Sequence, residues 1–169
     1  MFKPYFHFST NQKIVLAVLL VLCIVAGRLL PHAWNMTPVV AAILFAGVYL
    51  GRRYAISIPL VAMPLSDLFI GFYDVKLLAS VYGSMLLIGL YGLLLRSRIS
   101  LPNLALTTLV SSSLFFLVTN WAVWQFSVWY PKTIDGLMTS YAMGIPFFKN
   151  ALIGDALYTG LFFGSFSLA

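Results

Sequence analysis

An all-α integral membrane fold, a bundle of six transmembrane helices, is what this sequence predicts, and three observations carry that reading. The chain is 62% hydrophobic and only 8% charged, whereas a globular domain is about 25% charged and a water-facing surface needs about a quarter to a third. Its polar residues are also too few for a disordered chain. One span takes ~20 apolar residues, so six spans with short connectors use almost all of the 169 residues. The whole chain reads as a single membrane domain, with no room left for a soluble catalytic or nucleic-acid-binding unit.

The apolar stretches are residues 14–30, 38–50, 55–72, 77–95, 101–126 and 145–166. Lys3 and Lys13 before the first stretch resemble the charged head of a signal peptide. No Ala-x-Ala pattern follows, however, and Leu22 is too large before Cys23 for a lipoprotein signal, so an uncleaved first span is expected. The second stretch is short. Its thirteen residues rise about 20 Å against a hydrocarbon core of ~30 Å, which leaves a crossing helix and a re-entrant segment as alternatives. Thr37-Pro38 offers it an N-cap with proline at the first helical position. Pro59 and Pro64 lie inside the third stretch, must kink or break it, and leave carbonyls for neighbouring helices to satisfy. Ser100 and Pro102 suit a start for the fifth, and Pro146 suits one for the sixth after a long connector over residues 127–144.

Charge orients the bundle. With six spans, Lys3, Lys13, Arg52, Arg53, Arg96 and Arg98 share one side and Arg28, Lys76, Lys132 and Lys149 the other, six against four. Without the second span the count is five against five. Basic residues prefer the cytoplasmic side, which favours six spans with both termini inside. The net charge of +6 is scattered in ones and twos, the pattern of a bacterial inner-membrane rim and not of a nucleic-acid footprint. Cys23 is alone, which excludes an intrachain disulfide and a paired-cysteine metal or redox centre.

Polar chemistry then collects at the outer end. It lies in His32, Trp34, Asn35 and Thr37 of the first connector, in Tyr73, Asp74 and Lys76 of the third, and in Trp129, Tyr130, Lys132, Thr133, Asp135, Ser140 and Tyr141 of the fifth. All four tryptophans, Trp34, Trp121, Trp124 and Trp129, fall there. Two readings stand: an interfacial aromatic belt, which should occupy both faces, or a lining for a ligand. Two carboxylates lie within spans, Asp67 near the outer end of the third and Asp155 near the middle of the sixth. An Asp at a helix centre costs roughly 2.5–3.5 kcal/mol on insertion scales, so each faces a wet cavity, hydrogen-bonds a partner on another helix such as Thr119 or Asn120, or is protonated and satisfies a carbonyl freed by a proline. Asn120 can converge with both carboxylates, and Tyr158 shares a helix face with Asp155. His32 reads as a solvated loop residue or as a ligand to metal or substrate. Small-residue pairs at Ala42–Ala46 and Gly47–Gly51 would let another helix pack closely. No zinc helix, phosphate-cradling glycine loop or nucleophile elbow is present, so no catalytic residue, metal site or cofactor is expected.

The residues Pro31 to Gly51, then Pro64-Leu-Ser-Asp67-Leu with Gly71-Phe72, resemble those of an uncharacterised family of small bacterial membrane proteins. So do Thr119-Asn120-Trp121 with Trp124, Tyr130-Pro131-Lys132-Thr133, and Ile145-Pro146-Phe147-Phe148 through Gly154-Asp155 to Gly164. These proteins are similar to the substrate-binding S components of energy-coupling-factor (ECF) vitamin transporters. The resemblance implies six helices with both termini inside and a small vitamin-like ligand held at the outer face between the first, third and fifth connectors. It also implies docking on a transmembrane coupling protein with its ATPases. One departure concerns docking: the first helix has Ala17 followed at i+4 by Val21, where S components often carry a second alanine. Such a chain acts alone or with a different partner.

The expected function is therefore solute binding for uptake, with a small-molecule ligand at the outer face, lipid around the bundle and no nucleic acid. Asp67, Asn35, Asn120 and Asp155 would hold polar groups of the ligand, and Trp34, Tyr73, Trp121, Trp124, Tyr130 and Tyr158 would enclose the rest. The competing expectations are a structural or assembly subunit with a filled outer end and, more remotely, a lipid-directed intramembrane enzyme using Asp67 with Asp155.

Overall fold

The computed structural model describes residues 8–168, with side chains through residue 166; Lys3 lies outside this range. Every regular element among the described residues is helical. The order is α1 (Thr10–Leu29), α2 (Val39–Phe45, continued by a π-helical turn Ala46–Leu50), α3 (Arg52–Ile70), α4 (Val75–Leu95), α5 (Leu101–Phe126) and α6 (Ile134–Leu168). Four of them, α1, α3, α4 and α5, are long and apolar enough to cross a membrane.

Local chemistry sets the ends. Ser9 and Gln12 form a reciprocal capping box that starts α1, ahead of the apolar run, because two of the first free N–H groups are satisfied there. Asp74 caps α4 through the Lys76 and Leu77 N–H groups. Ser100 caps α5 through Asn103, with Pro102 in its first turn. The expected start of the sixth helix at Pro146 is wrong. Helix α6 begins at Ile134, where Thr133 accepts from the Gly136 N–H at 3.2 Å and Asp135 sits in the first turn, a favourable place for negative charge. Pro146 lies inside the helix, and the connector shrinks to residues 127–133.

The expected break in the third span is also absent, since α3 runs through both Pro59 and Pro64. Pro59 deprives the Ala55 carbonyl of its helical donor. A Cβ on Gly89 of α4 would stand 2.5 Å from that oxygen, so the glycine Cα–H faces it, a weak hydrogen bond of about 0.5–1 kcal/mol. The neighbouring helix thus supplies what the proline removed.

Helix α2 is the axis. Every residue from Val39 to Leu50 is buried, and α2 with its π-turn touches all five other helices, which stand around it in the order α1, α3, α4, α5, α6. A helix apolar on all sides belongs in such a place. Between helices in lipid there is no hydrophobic drive, so close van der Waals approach has to hold the bundle. Gly47 provides it: a Cβ there would lie 2.8 Å from the Gly89 carbonyl oxygen and 2.9 Å from Gly92 Cα. The small-residue pair expected to admit another helix does so, and that helix is α4. At its lower end α2 is gripped by rings, with Phe45 against Phe163 at 5.4 Å and Phe166 at 4.8 Å, and Tyr49 against both.

The distribution of polarity is inverted relative to a protein folded in water. Val15, Leu22, Leu94, Leu106 and Leu161 are exposed, whereas Ser66, Asp67, Ser84, Thr108, Ser112, Asp155 and Thr159 are buried. Both halves of that pattern are consistent with a bundle surrounded by lipid.

Gly92→Ala should lower the melting temperature in detergent, since its Cβ would meet the Leu44 carbonyl oxygen at 2.8 Å; the expected cost is about 1–3 kcal/mol. Gly83→Ala, whose Cβ would meet nothing within 4 Å, should leave it unchanged or raise it. Equal effects at both positions would refute the tight α2–α4 contact.

Candidate functional site

The upper end of the bundle carries the α1–α2, α3–α4 and α5–α6 connectors. Two of the expected polar clusters meet there around a cavity of about 270 Å³. Val39 and Val40, at the start of α2, lie in its wall together with Tyr73, Phe115 and Asp155. A second lobe of about 140 Å³ shares Asn35, Ser112, Phe115 and Ala151 with the first and continues between α5 and α6 past Asn120, Phe116 and Phe148. The Phe116 and Phe148 rings stack at 4.5 Å and 23°. A further hollow of about 520 Å³ runs between the upper ends of α4 and α5, sharing Tyr73 and Val81 with the first cavity and reaching Trp129.

One wall of the first cavity is an ion-pair network. Arg28, in the last turn of α1, donates from Nη2 to Asp67 Oδ1 at 2.7 Å. It donates from Nη1 to Ser66 Oγ at 2.5 Å and to the Met63 carbonyl at 3.3 Å. The Tyr82 hydroxyl of α4 donates to Asp67 Oδ2 at 2.6 Å. Asp67 is wholly buried, and the Arg28 side chain is 15% exposed. Both carboxylate oxygens are therefore occupied within the chain, and three helices are tied at one point. A buried pair of this kind adds little net stability compared with apolar residues, but removing one partner strands the other charge. Tyr73, in the connector above, feels the same network. Partial burial, then the Asp67 carboxylate, push its phenol above the ordinary value against the opposing influence of Arg28, which keeps the hydroxyl neutral.

Asp155 is held differently. It is 4% exposed and lies in the cavity wall. Ser112 Oγ donates to its Oδ2 at 2.5 Å; Thr119 and Asn120, the partners that its position suggested, are engaged elsewhere. Thr119 donates to the Phe115 carbonyl, and Asn120 Nδ2 donates to the Phe116 carbonyl. Asn120 also packs against Gly144, where a Cβ would fall 2.5 Å from its Oδ1.

The structure divides the sequence-derived candidates. Asn35, Tyr73 and Asp155 line the first lobe, and Asn35 with Asn120 the second. Asp67 stands behind Arg28 and Tyr82. Trp34 is exposed and packs on Phe147 at 5.6 Å, and Trp121 is partly exposed against Phe126. Trp124 closes the short connector by donating from Nε1 to the Pro131 carbonyl at 3.0 Å, while Lys132 Nζ donates to the Trp124 and Ser127 carbonyls. Tyr130 sits in that connector, and Tyr158 lies beside Phe162 with ring centroids 6.5 Å apart; neither lines a lobe. His32, which could be read as merely solvated, is in the wall of the first lobe with its Nδ1 2.5 Å from the Leu30 carbonyl oxygen. Arg28 was legible only as a topological charge, and Ser112 and Phe115 only as members of the fifth apolar stretch. Among the described residues no three His, Cys, Asp or Glu side chains stand together as a metal site.

A helical bundle with a largely apolar hollow carrying a few polar groups at one end is thus the class of protein in hand. The chain belongs to a family of unknown function, DUF6580, whose model matches residues 8–169. Neither a curated protein nor a solved structure matches it.

Removing the Asp67 carboxylate while Arg28 remains should cost about 3–5 kcal/mol. The double change Arg28→Met with Asp67→Leu should recover most of that loss in thermal unfolding. A double mutant no more stable than Asp67→Ala would show that the pair is not what joins α1 to α3.

Proposed function

We propose that this protein is a membrane-embedded receptor for a small solute, of the size of a vitamin or cofactor precursor, and that it serves uptake across a bacterial inner membrane. In this reading all six helices lie in the bilayer, both termini face the cytoplasm, and the cavity end faces out. The observation that carries it is the pair of adjoining lobes beside the α1–α2 and α3–α4 connectors. Together they reach the lower end of the roughly 300–1,000 Å³ typical of small-molecule sites, and they pair an apolar lining with a few convergent polar groups, as such sites do. A subunit whose role is only to pack against other proteins has no need of this hollow, and an acid–base enzyme would need Asp67, which Arg28 and Tyr82 already occupy. Release of the solute inward requires either a partner, such as a transmembrane coupling protein with ATPases, or a rearrangement of this chain alone.

Purified protein in nanodiscs should bind at least one member of a panel of vitamins and cofactor precursors saturably, by equilibrium dialysis. Ala151→Phe, which places a ring in the wall common to both lobes, should abolish that binding while the protein stays monodisperse. Folded wild-type protein that retains none of the panel, and that co-purifies with one constant membrane partner, would instead establish the assembly subunit. The orientation has its own check in whole cells. Ala33→Cys should react with a membrane-impermeant maleimide, and Ser97→Cys should react only after permeabilisation; the opposite pattern would invert the proposal.

A further inference from the structure

The two buried carboxylates are treated unequally, and the difference has chemical content. Asp67 receives a guanidinium on one oxygen and a phenol on the other. Asp155 is 4% exposed, and only Oδ2 has a donor, Ser112, at 2.5 Å. Ser112 has a single proton to give, and the Thr108 carbonyl competes for it at 3.0 Å. Oδ1 has no hydrogen-bond partner among the described residues, although it belongs to a side chain in the cavity wall. A carboxylate removed from water with half of its acceptor capacity unused is costly unless a donor arrives.

No cation of the wall is paired with Asp155. Arg28, its only guanidinium, is committed to Asp67, Ser66 and the Met63 carbonyl, and the Arg28–Asp67 pair is neutral as a unit. His32 has Nδ1 against the Leu30 carbonyl. The first lobe is thus a mostly apolar space with one underused carboxylate. Asn35 adjoins it at the junction of the lobes, held at φ 63, a left-handed turn conformation that Asn adopts more readily than most residues. Beyond it lies the second lobe, faced by Phe115 and by the stacked Phe116 and Phe148.

We infer that the site selects a solute with a protonated amine, or an equivalent cationic nitrogen, seated on Asp155, and with a flat apolar ring carried into the second lobe. This rests on the reading of the cavity as a solute site and adds the charge of its occupant. The cation would complete the coordination of Asp155 by a charge-assisted hydrogen bond, the strong class of such bonds, and the ring would meet the aromatic faces on which flat groups and cations pack well.

The test uses three probes of one shape: phenethylamine, cationic; 2-phenylethanol, neutral; and 3-phenylpropionate, anionic. Each competes for the cavity of the wild-type protein in zwitterionic nanodiscs, with empty nanodiscs as the blank, read by saturation-transfer NMR. Phenethylamine should bind at least tenfold more tightly than either of the others, and Asp155→Asn should remove that preference. Comparable affinities for the three probes in the wild type, or tighter binding of the anion, would overturn the inference and leave the cavity a solute site of another charge. This comparison needs no variant and stands even if Asp155→Asn does not fold. No saturable binding by any probe would overturn both the inference and the reading beneath it.

Discussion

A guanidinium and a carboxylate that meet inside the bundle govern the upper half of this molecule. Arg28 and Asp67 lie on helices that neighbouring side chains would otherwise hold only by van der Waals contact, because lipid competes on equal terms for every apolar face. Their union, with Tyr82 on the second oxygen, fixes α1, α3 and α4 in one register and makes a wall out of three separate elements. That wall stands beside a hollow, and its charges are spent on each other. On the opposite side Asp155 and Ser112 face the hollow from α6 and α5, and His32, Asn35, Thr37 and Tyr73 add polar groups from the connectors.

Much of the fold could be read from composition and periodicity, and the errors have local physical causes. The helical stretches were visible because long apolar runs in a chain with so few charges have one structural outcome. The start of α6 was misplaced because proline suits both the first turn of a helix and, in lipid, its interior. The decisive signal was the weaker one, Thr133 followed by Asp135, which caps and charges a helix start without contrast in hydrophobicity. The carbonyl that Pro59 frees in α3 is met by Gly89 of the next helix, and no local pattern announces such a contact.

The site was legible in its address more than in its members. The first and third connectors border the cavity, the fifth lines neither lobe, and Asn35, Tyr73, Asn120 and Asp155 do line the lobes. The tryptophans drew attention because they are conspicuous, yet Trp34 and Trp121 lie on the outside and Trp124 tethers a connector. The rings that shape the interior are phenylalanines, Phe115, Phe116 and Phe148, which vanish within apolar runs. Arg28 escaped notice as a partner for Asp67, and Ser112 as a partner for Asp155, because only the folded bundle brings together residues so distant in sequence.

The brevity of α2 has a consequence for capacity. Twelve buried residues from Val39 to Leu50 rise about 18 Å, roughly 12 Å less than a hydrocarbon core, and the hollow opens where the central rod stops. Its depth is thus an allowance made by main-chain length. Exchanging side chains around the rim can alter which guest is preferred, but the headroom for any guest is set by where the backbone turns at Pro38.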